Sequence, residues 1–460
     1  MKELLALVGT GVFTMIADML NLRKYSFFIV VIGLATAISF SIVDWNKADG
    51  VYGMLAMNNF ALGFNILMCA TALLWFVMSD HYFDENNGAT SDQYALIVFS
   101  LVGALCMVSY TNMSMLFLGI EILSIPMYIM AGSQKRDLSS NEASFKYFLM
   151  GAFASGFLLF GIALIYGVTG SFDLASIASR ITQTLGDNRP MLLLGVLMLL
   201  IGLGFKVSAA PFHFWAPDVY QGAPIVVTAF MATIVKTAAF AAMFLLFNAC
   251  FRPLMGDWSD VVATMIVLTL FIGNITAVLQ TNVKRMLAYS SISHAGYMMI
   301  AMLSIESPNA DSSIFTYSAI YSVATLLAFT VIYIVNEKRN STDVAAFNGL
   351  GRTNPLLAFA MTLAMLSMAG IPPLAGFMAK YFIFVDAIQS GHIGLIVFAI
   401  SMSLVSLYYY LKVIIAMYFA VPSAKEATPS SDLLQNTVLF IGVALLILFG
   451  LMPGLLYTAI

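Results

Sequence analysis

The chain has 460 residues, of which 61% are hydrophobic and only 9% are charged, and its formal net charge is −3. A soluble domain carries about 25% charged residues, so this composition excludes a protein with an ordinary water-facing surface. The apolar residues form long runs, many of about 18 residues or more, which is enough to cross a bilayer. Because lipid cannot hydrogen-bond free backbone groups, we predict an all-α polytopic membrane protein.

In chain order, the apolar runs predict about fourteen transmembrane helices. They lie at residues 4–20, 27–43, 60–78, 94–110, 113–130, 145–166, 191–210, 225–247, 260–280, 287–304, 313–336, 355–385, 394–418 and 437–456. The first run lacks a small-residue cleavage site, and we interpret it as a retained helix rather than a signal peptide. The linkers are too short for a soluble domain, so residues 1–460 are predicted to form a single membrane domain.

The distribution of basic residues predicts that both termini lie on the outer, periplasmic side, because inner loops are enriched in Lys and Arg. In that orientation eleven basic residues are inside and five outside. The inside set is Arg23, Lys24, Lys135, Arg136, Lys146, Lys284, Arg285, Lys338, Arg339, Arg352 and Lys425; the outside set is Lys2, Lys47, Arg180, Arg189 and Arg252. The acidic segment 80–92, predicted to lie inside, has no Lys or Arg and departs from the rule.

The remaining four lysines fall within predicted spans, and they are Lys206, Lys236, Lys380 and Lys412. A lysine at the centre of a membrane helix costs about 2.5–3.5 kcal/mol on insertion scales, so such a charge indicates a function. Lys236 lies near the middle of its span. Lys412 lies closer to an inner end, where a snorkelling side chain is an equal alternative.

Lys206 and Lys380 each lie beside a predicted helix interruption. Lys206 precedes Pro211, and Lys380 follows the sequence Gly-Ile-Pro-Pro at 370–373. Proline removes a backbone donor and breaks a helix. Broken helices within membranes commonly form ion sites. The two interruptions therefore predict a function for both lysines.

One acid and two histidines extend this polar set. Glu121 lies in the middle of the predicted fifth helix, where a buried carboxylate needs a cation or a proton. His213 and His294 also fall within or beside apolar runs, and imidazole titrates near neutral pH, although a lone buried histidine is often structural. Together these residues predict a proton relay.

The same sequence predicts no cofactor on this chain. Cys69, Cys106 and Cys250 lack metal-ligand spacing and are interpreted as buried apolar thiols. The chain has neither a Rossmann glycine fingerprint nor a P-loop.

Five segments resemble the antiporter-like subunits of respiratory complex I. They are LGIEILSIPMYIMAG (118–132), SFKYFLMGAFASGFLLFGIALIYG (144–167), LGFKVSAAPFHFWAPDVYQGAPIVVTAFMATIVKTAAF (202–240), VKRMLAYSSISHAGYMM (283–299) and AGIPPLAGFMAKYF (369–382). The resemblance as a whole extends over about residues 95–415. PDVYQGAP, KYFLMGAFASG and the lysine at 380 resemble the N-type branch of NADH–quinone oxidoreductase rather than the L or M types.

The resemblance implies fourteen helices with broken helices seven and twelve. It also implies two inverted five-helix repeats, within 94–247 and 260–418. Glu121 and Lys206 would form the charged pair of one half-channel. The resemblance assigns Lys236 to the central connection, Lys380 to the second half-channel, and His213 and His294 to the polar axis.

The same resemblance implies that quinone reduction elsewhere in the complex drives proton pumping through this chain. NADH, FMN, iron–sulfur clusters and quinone would bind to partner subunits, with other antiporter-like subunits as neighbours. The expected location is the bacterial plasma (inner) membrane, and no nucleic-acid partner is expected.

Two related functions stay open on the sequence alone: a subunit of a multi-subunit Na⁺/H⁺ antiporter, and a subunit of a ferredoxin- or hydrogenase-linked relative of complex I. A membrane-embedded hydrolase or transferase is less compatible, because the chain has no HExxH, no GxSxG, no paired aspartates and no large external loop. A purely structural scaffold leaves Glu121, Lys206, Lys236 and Lys380 unexplained.

Overall fold

The computed structural model describes residues 1–20, 22–47, 49–51, 53–85, 90–183, 188–421 and 428–460. Lys425, counted above among the inner basic residues, lies outside the described residues. The described chain is helical apart from loops and one short antiparallel hairpin, β1 (Asp49–Val51) and β2 (Leu55–Met57).

Twenty α-helices follow one another along the described residues. They are α1 (Lys2–Met19), α2 (Ser26–Val43), α3 (Asn59–Glu85), α4 (Thr90–Ser109), α5 (Met113–Ala131), α6 (Leu138–Thr169), α7 (Leu174–Gln183), α8 (Arg189–Val207), α9 (Trp215–Gly222), α10 (Ile225–Phe230), α11 (Lys236–Ala249), α12 (Met255–Val278), α13 (Val283–Met299), α14 (Ala310–Arg339), α15 (Leu350–Thr353), α16 (Pro355–Ala369), α17 (Ala375–Gln389), α18 (Ile393–Phe419), α19 (Leu433–Leu451) and α20 (Gly454–Tyr457). A π-helical segment, Met231–Val235, joins α10 to α11.

Eleven helical stretches of the described chain are long and apolar enough to cross a membrane, and each overlaps a predicted span. The other three predicted spans correspond to α1, to α13 with the 3₁₀ turn Ile300–Ser304, and to α16 with α17. α13 is more polar than a usual span because it carries Ser290, Ser291 and His294. α16 and α17 are each only 15 residues long. The all-α membrane architecture is therefore confirmed.

Both predicted interruptions are present. α8 ends at Val207, and Ser208 adopts a left-handed conformation (φ 62°) before Pro211. α16 ends at Ala369, and Gly370 is left-handed (φ 85°) before α17 begins. Glycine adopts this conformation without the steric penalty of a β-carbon. Each break leaves backbone carbonyls without helical partners, which other groups must satisfy.

The centre of the bundle is formed by α11, α13 and α14. In the most apolar 18-residue part of each of the stretches 225–249 and 310–339, 94% of the residues are buried within the protein. α13 is buried over nearly its whole length. These helices carry Lys236 and His294, so the charged centre predicted from the sequence lies away from lipid, as membrane-embedded polar residues generally do.

Contacts between loops define the two ends of the bundle. At the end rich in Lys and Arg, here called the basic end, His81 pairs with Asp432 (2.6 Å). At the opposite end, Lys2 donates to Asp44 (3.2 Å). That hydrogen bond lowers the pKa of the Asp44 carboxyl below its ordinary value.

Candidate functional site

The first interruption surrounds Lys206, which is buried in the last turn of α8. Its ammonium donates a hydrogen bond to the Ser124 hydroxyl of α5. It also lies 5.8 Å from the ring centroid of Tyr128 and 5.7 Å from that of Tyr147. Aromatic faces attract a cation and offset part of its lost hydration. The site therefore accommodates a charged lysine through a hydroxyl and two rings.

Glu121 lies on α5, one turn before Ser124, and is partly exposed. Its carboxylate accepts a hydrogen bond from Ser155 of α6. The Glu121 charge acts on Lys206 through space. Nevertheless, within the described chain these two residues do not form a direct ion pair of 4.0 Å or less. The expected pair is thus electrostatically coupled but not in contact.

His213 follows the same interruption and is buried beside the Phe214 ring, at 4.4 Å between centroids. Its Nδ1 has no hydrogen-bond partner among the described residues. The Tyr147 hydroxyl and the Ser208 hydroxyl are also buried and unpartnered in this part of the chain. Buried polar atoms of this kind bind ordered water in most proteins. The region between α6, α8 and the break is therefore suited to hydration.

Lys236 opens α11 directly after the π-helical segment and is 1% exposed. Its ammonium donates to both the hydroxyl and the carbonyl oxygen of Ser291 on α13. π-Helical turns are rare and occur frequently at functional sites. The widened turn and Ser291 together hold the central lysine against α13.

His294 lies one turn beyond Ser291 on α13. Its Nδ1 is 2.7 Å from the Tyr317 hydroxyl of α14, and its Nε2 is 3.2 Å from the Tyr410 hydroxyl of α18. The Tyr410 hydroxyl also bonds to Ser290. Both nitrogens of the imidazole therefore face hydroxyl groups.

Lys380 is buried on α17, just beyond the second interruption. It donates to the Ala369 carbonyl (2.9 Å), which the end of α16 leaves free, and to the Ser403 hydroxyl of α18 (2.7 Å). Its ammonium lies 4.7 Å from the ring centroid of Tyr297 on α13. The break thus creates the acceptor that holds the lysine.

α13 links the centre to the second interruption. Ser291 contacts Lys236, and Tyr297 contacts Lys380. The intervening His294 is spaced three residues from each, so all three lie near one another along the helix. The sequence singled out His294 but not its serine and tyrosine neighbours. Serine and tyrosine are common in membrane helices, and only their spacing around His294 could have marked them.

Lys412 is separate from these contacts. It is partly exposed on α18 and donates to the Gln280 carbonyl (2.9 Å), just beyond the end of α12. Lysine side chains commonly satisfy carbonyls at helix C-termini. This contact favours a capping role over a place in the relay.

Sequence reasoning missed a further buried lysine, Lys284, which it treated as a loop residue. The structure buries it at the start of α13, where it donates to the carbonyls of Gln221 (3.1 Å) and Ala223 at the end of α9. Its position among basic loop residues gave no signal of burial.

Cysteine and acid–histidine clusters do not supply a metal centre in the described part of the chain. Its three cysteines are free and buried, and no group of three His, Cys, Asp or Glu residues there could hold a metal ion.

A family model described as NADH:quinone oxidoreductase/Mrp antiporter, TM, matches residues 111–406. NADH-quinone oxidoreductase subunit N of Cytophaga hutchinsonii is 43% identical over 457 residues, covering 99% of this chain and 98% of that protein. The subunit of the same name from Flavobacterium johnsoniae is 39% identical and covers 99% of both chains.

Two solved structures extend the comparison. A chain of respiratory complex I from Thermus thermophilus with bound aureothin superposes with a TM-score of 0.85 and 34% identity, covering 99% of this chain and 98% of that one. A chain of the Mrp complex from Dietzia sp. gives a TM-score of 0.85 at 18% identity over 99% of this chain and 95% of that one, which is a likeness of fold alone.

Proposed function

This chain belongs to the subunit N family of bacterial NADH–quinone oxidoreductase, and we propose that it moves protons through a relay of Glu121, Lys206, Lys236, His294 and Lys380. It is thus a multi-pass membrane subunit of an enzyme complex. In the proposal its own contribution is proton transfer, and redox chemistry takes place on partner subunits.

One observation carries the relay: three buried lysines each donate to a serine hydroxyl. The pairs are Lys206–Ser124, Lys236–Ser291 and Lys380–Ser403. None of the three lysines forms an ion pair with a carboxylate within the described ranges. Burial without a counter-ion disfavours a permanent ammonium. Such amines are suited to gaining and losing protons as neighbouring charges change.

We propose fourteen crossings, both termini on the outer side, and inverted repeats within 94–247 and 260–418. In that topology α8 enters from the outer side and α16 from the inner side. Lys206 precedes its interruption, whereas Lys380 follows its own. The two interrupted helices then enter the membrane from opposite sides, as inverted repeats require. His213 supports the first half-channel as a polar residue beside the break.

Proton movement against a membrane potential needs an energy source, since one charge crossing 100 mV costs about 2.3 kcal/mol. We propose that quinone reduction in neighbouring subunits supplies it. NADH, FMN, iron–sulfur clusters and quinone are assigned to those partners, among them other antiporter-like subunits. The Mrp likeness keeps sodium–proton exchange as an alternative, but full-length identity of 43% to a subunit N favours the quinone-linked complex.

The test replaces Lys206, Lys236, Lys380 and Glu121 singly by alanine in the native host. Inverted membrane vesicles then report NADH-driven quinone reduction and ΔpH together, and a native gel checks assembly. We expect assembled complexes with depressed pumping. Lys135→Ala is the control, because Lys135 is exposed at the basic end. Full pumping in all four variants would refute the relay.

A further inference from the structure

We propose that Tyr410 carries protons in the relay, by completing with Tyr317 a pair of hydroxyls around His294. The inference rests on the proposed function and adds residues to it. In this scheme the imidazole receives a proton at one nitrogen and releases one from the other, without moving.

Each ring nitrogen of His294 contacts the same kind of group, a tyrosine hydroxyl. Tyr317 lies 2.7 Å from Nδ1 and Tyr410 lies 3.2 Å from Nε2. A neutral imidazole donates from one nitrogen and accepts at the other, while a hydroxyl can do either. Both tautomers are therefore fully hydrogen-bonded in the same geometry. A carbonyl at either nitrogen would instead fix one tautomer and block transfer through the ring.

On the side of Lys236, the imidazole of His294 contacts the Tyr410 hydroxyl. This hydroxyl bonds to Ser290, and the next residue of α13, Ser291, accepts a hydrogen bond from Lys236. Tyr410 is fully buried, so its hydroxyl exchanges protons only with these neighbours. Two consecutive serines of α13 thus contact the Lys236 ammonium and the Tyr410 hydroxyl, and the proposal requires a proton to pass between these two serines.

Two further tyrosines pack beside Tyr410 and Lys380. The ring of Tyr409 packs on Tyr410 at 4.4 Å between centroids, and its hydroxyl donates to Asn274 (3.1 Å). The Tyr297 hydroxyl donates to the Ala399 carbonyl (3.3 Å), and its ring centroid lies 4.7 Å from the Lys380 ammonium.

A small cavity lies on the Tyr317 side of the ring. It has a volume of about 10 Å³ and is lined by His294, Tyr317, Tyr321 and, at the second interruption, Ser367 and Ala379. That volume is close to the roughly 10–15 Å³ that one water molecule needs. Nδ1 and Tyr317 therefore open toward the segment that holds Lys380.

The transfer balances without any co-reactant. The Tyr410 O–H bond breaks as an N–H bond forms at Nε2, and the Nδ1–H bond breaks as Tyr317 gains a proton. The Lys236 ammonium supplies the proton that restores Tyr410, through the serine hydroxyls of α13, and the neutral amine of Lys380 takes the proton that Tyr317 releases. Lys236 ends as a neutral amine and Lys380 as an ammonium. One proton has then moved from the Lys236 side to the Lys380 side. Rotation of the hydroxyls and the reverse tautomer change reset the path.

The test is Tyr410→Phe in the full complex, with pumping per NADH oxidised measured in inverted vesicles. Loss of a positioned proton-transfer group typically lowers rates by about 100-fold or more, and we expect a loss of that order in pumping. Tyr110→Phe is the matched control, because the buried Tyr110 hydroxyl donates to the Ala242 carbonyl (2.9 Å), away from the relay. Pumping in Tyr410→Phe equal to that control would overturn the inference.

Lys236→Ala separates this inference from the proposed function. Normal pumping in Lys236→Ala would refute the proposed relay itself. Lost pumping in Lys236→Ala together with normal pumping in Tyr410→Phe would refute only the role of Tyr410.

A structural role for Tyr410 is tested with difluorotyrosine at position 410, which keeps the hydroxyl but makes it more acidic. We expect the alkaline limb of the pumping profile to move to lower pH; an unchanged profile would contradict proton transfer through Tyr410.

Discussion

Serine hydroxyls are the direct partners of the three buried lysines in the proposed relay. A hydroxyl can accept a hydrogen bond from an ammonium and donate one to a neutral amine. A carboxylate would instead favour the charged amine. Serine therefore serves both protonation states of a lysine, which a proton carrier must visit in turn. Glu121 acts on Lys206 from a distance and can bias this balance without fixing it.

We predict that Ser124→Ala depresses pumping by leaving Lys206 without its hydroxyl partner. An unsatisfied buried donor costs about 1–3 kcal/mol, and more when charged. The variant is measured as ΔpH per NADH oxidised in assembled complexes. Ser109→Ala is the control, because that buried hydroxyl donates to the Leu105 carbonyl of its own helix (2.7 Å). Equal pumping in both variants would show that Ser124 is dispensable.

The charged residues of the site could be selected from the sequence, but their partners could not. Lys206, Lys236 and Lys380 stand out because a charge within an apolar run is expensive. Ser124, Ser291 and Tyr410 carry no such cost and occur in many membrane helices. Lys284 was missed for the opposite reason: a lysine beside other basic residues has the pattern of a loop, yet it is buried against the end of α9.

At the scale of elements, the two helix interruptions free backbone carbonyl groups that become part of the site. The end of α16 frees the Ala369 carbonyl, which then accepts from Lys380. Proline and glycine marked this break in the sequence because their backbone effects are local. The π-helical turn before Lys236 had no such mark, since MATIV fits an ordinary α-helix.

We predict that Gly370→Ala impairs pumping through Lys380. A β-carbon at 370 would lie 3.0 Å from Lys380 Cδ and 3.3 Å from its Nζ. The left-handed backbone there adds a cost of about 1–2 kcal/mol for a residue with a β-carbon. Gly391→Ala is the control, because Gly391 is also left-handed (φ +89°) with nothing within 4 Å of an added β-carbon. Pumping should fall in assembled Gly370→Ala complexes and not in Gly391→Ala; the same loss in both would mean that backbone strain alone is responsible.

A second prediction at this scale concerns helix contact. Small residues allow close approach of helices in lipid, and a β-carbon at Gly103 of α4 would lie only 2.3 Å from the Leu123 nitrogen of α5. We expect Gly103→Ala to reduce assembly on native gels, since overpacking costs about 1–3 kcal/mol. Gly156→Ala on α6 meets nothing within 4 Å and should assemble normally. Normal assembly of both variants would show that α4 and α5 can separate without consequence.

For the whole molecule, hydropathy predicted where most helices lie, because each membrane crossing needs a long apolar run. It could not predict which helices form the centre. α13 and α14 are both deeply buried, yet α13 is among the more polar helices of the described chain. A polar helix is stable there because neighbouring side chains satisfy it, as Tyr317 and Tyr410 satisfy His294. Position within the bundle is a property of tertiary packing.

The proposed topology predicts which loop positions share a side of the membrane. Lys47 and Thr458 are exposed at the opposite end from Lys135. Three crossings separate position 47 from 135, and nine separate 135 from 458 in the fourteen-helix arrangement. Positions 47 and 458 should therefore lie outside, with 135 inside.

Single cysteines at these three positions test that arrangement with a membrane-impermeant maleimide applied to intact spheroplasts. The native cysteines provide a low background, because Cys69, Cys106 and Cys250 are buried. We expect labelling of Lys47→Cys and Thr458→Cys directly, and of Lys135→Cys only after permeabilisation. Labelling of 47 and 458 from different sides would require an odd number of crossings between them. That outcome would contradict the fourteen-crossing topology, in which α8 and α16 enter the membrane from opposite sides as parts of inverted repeats.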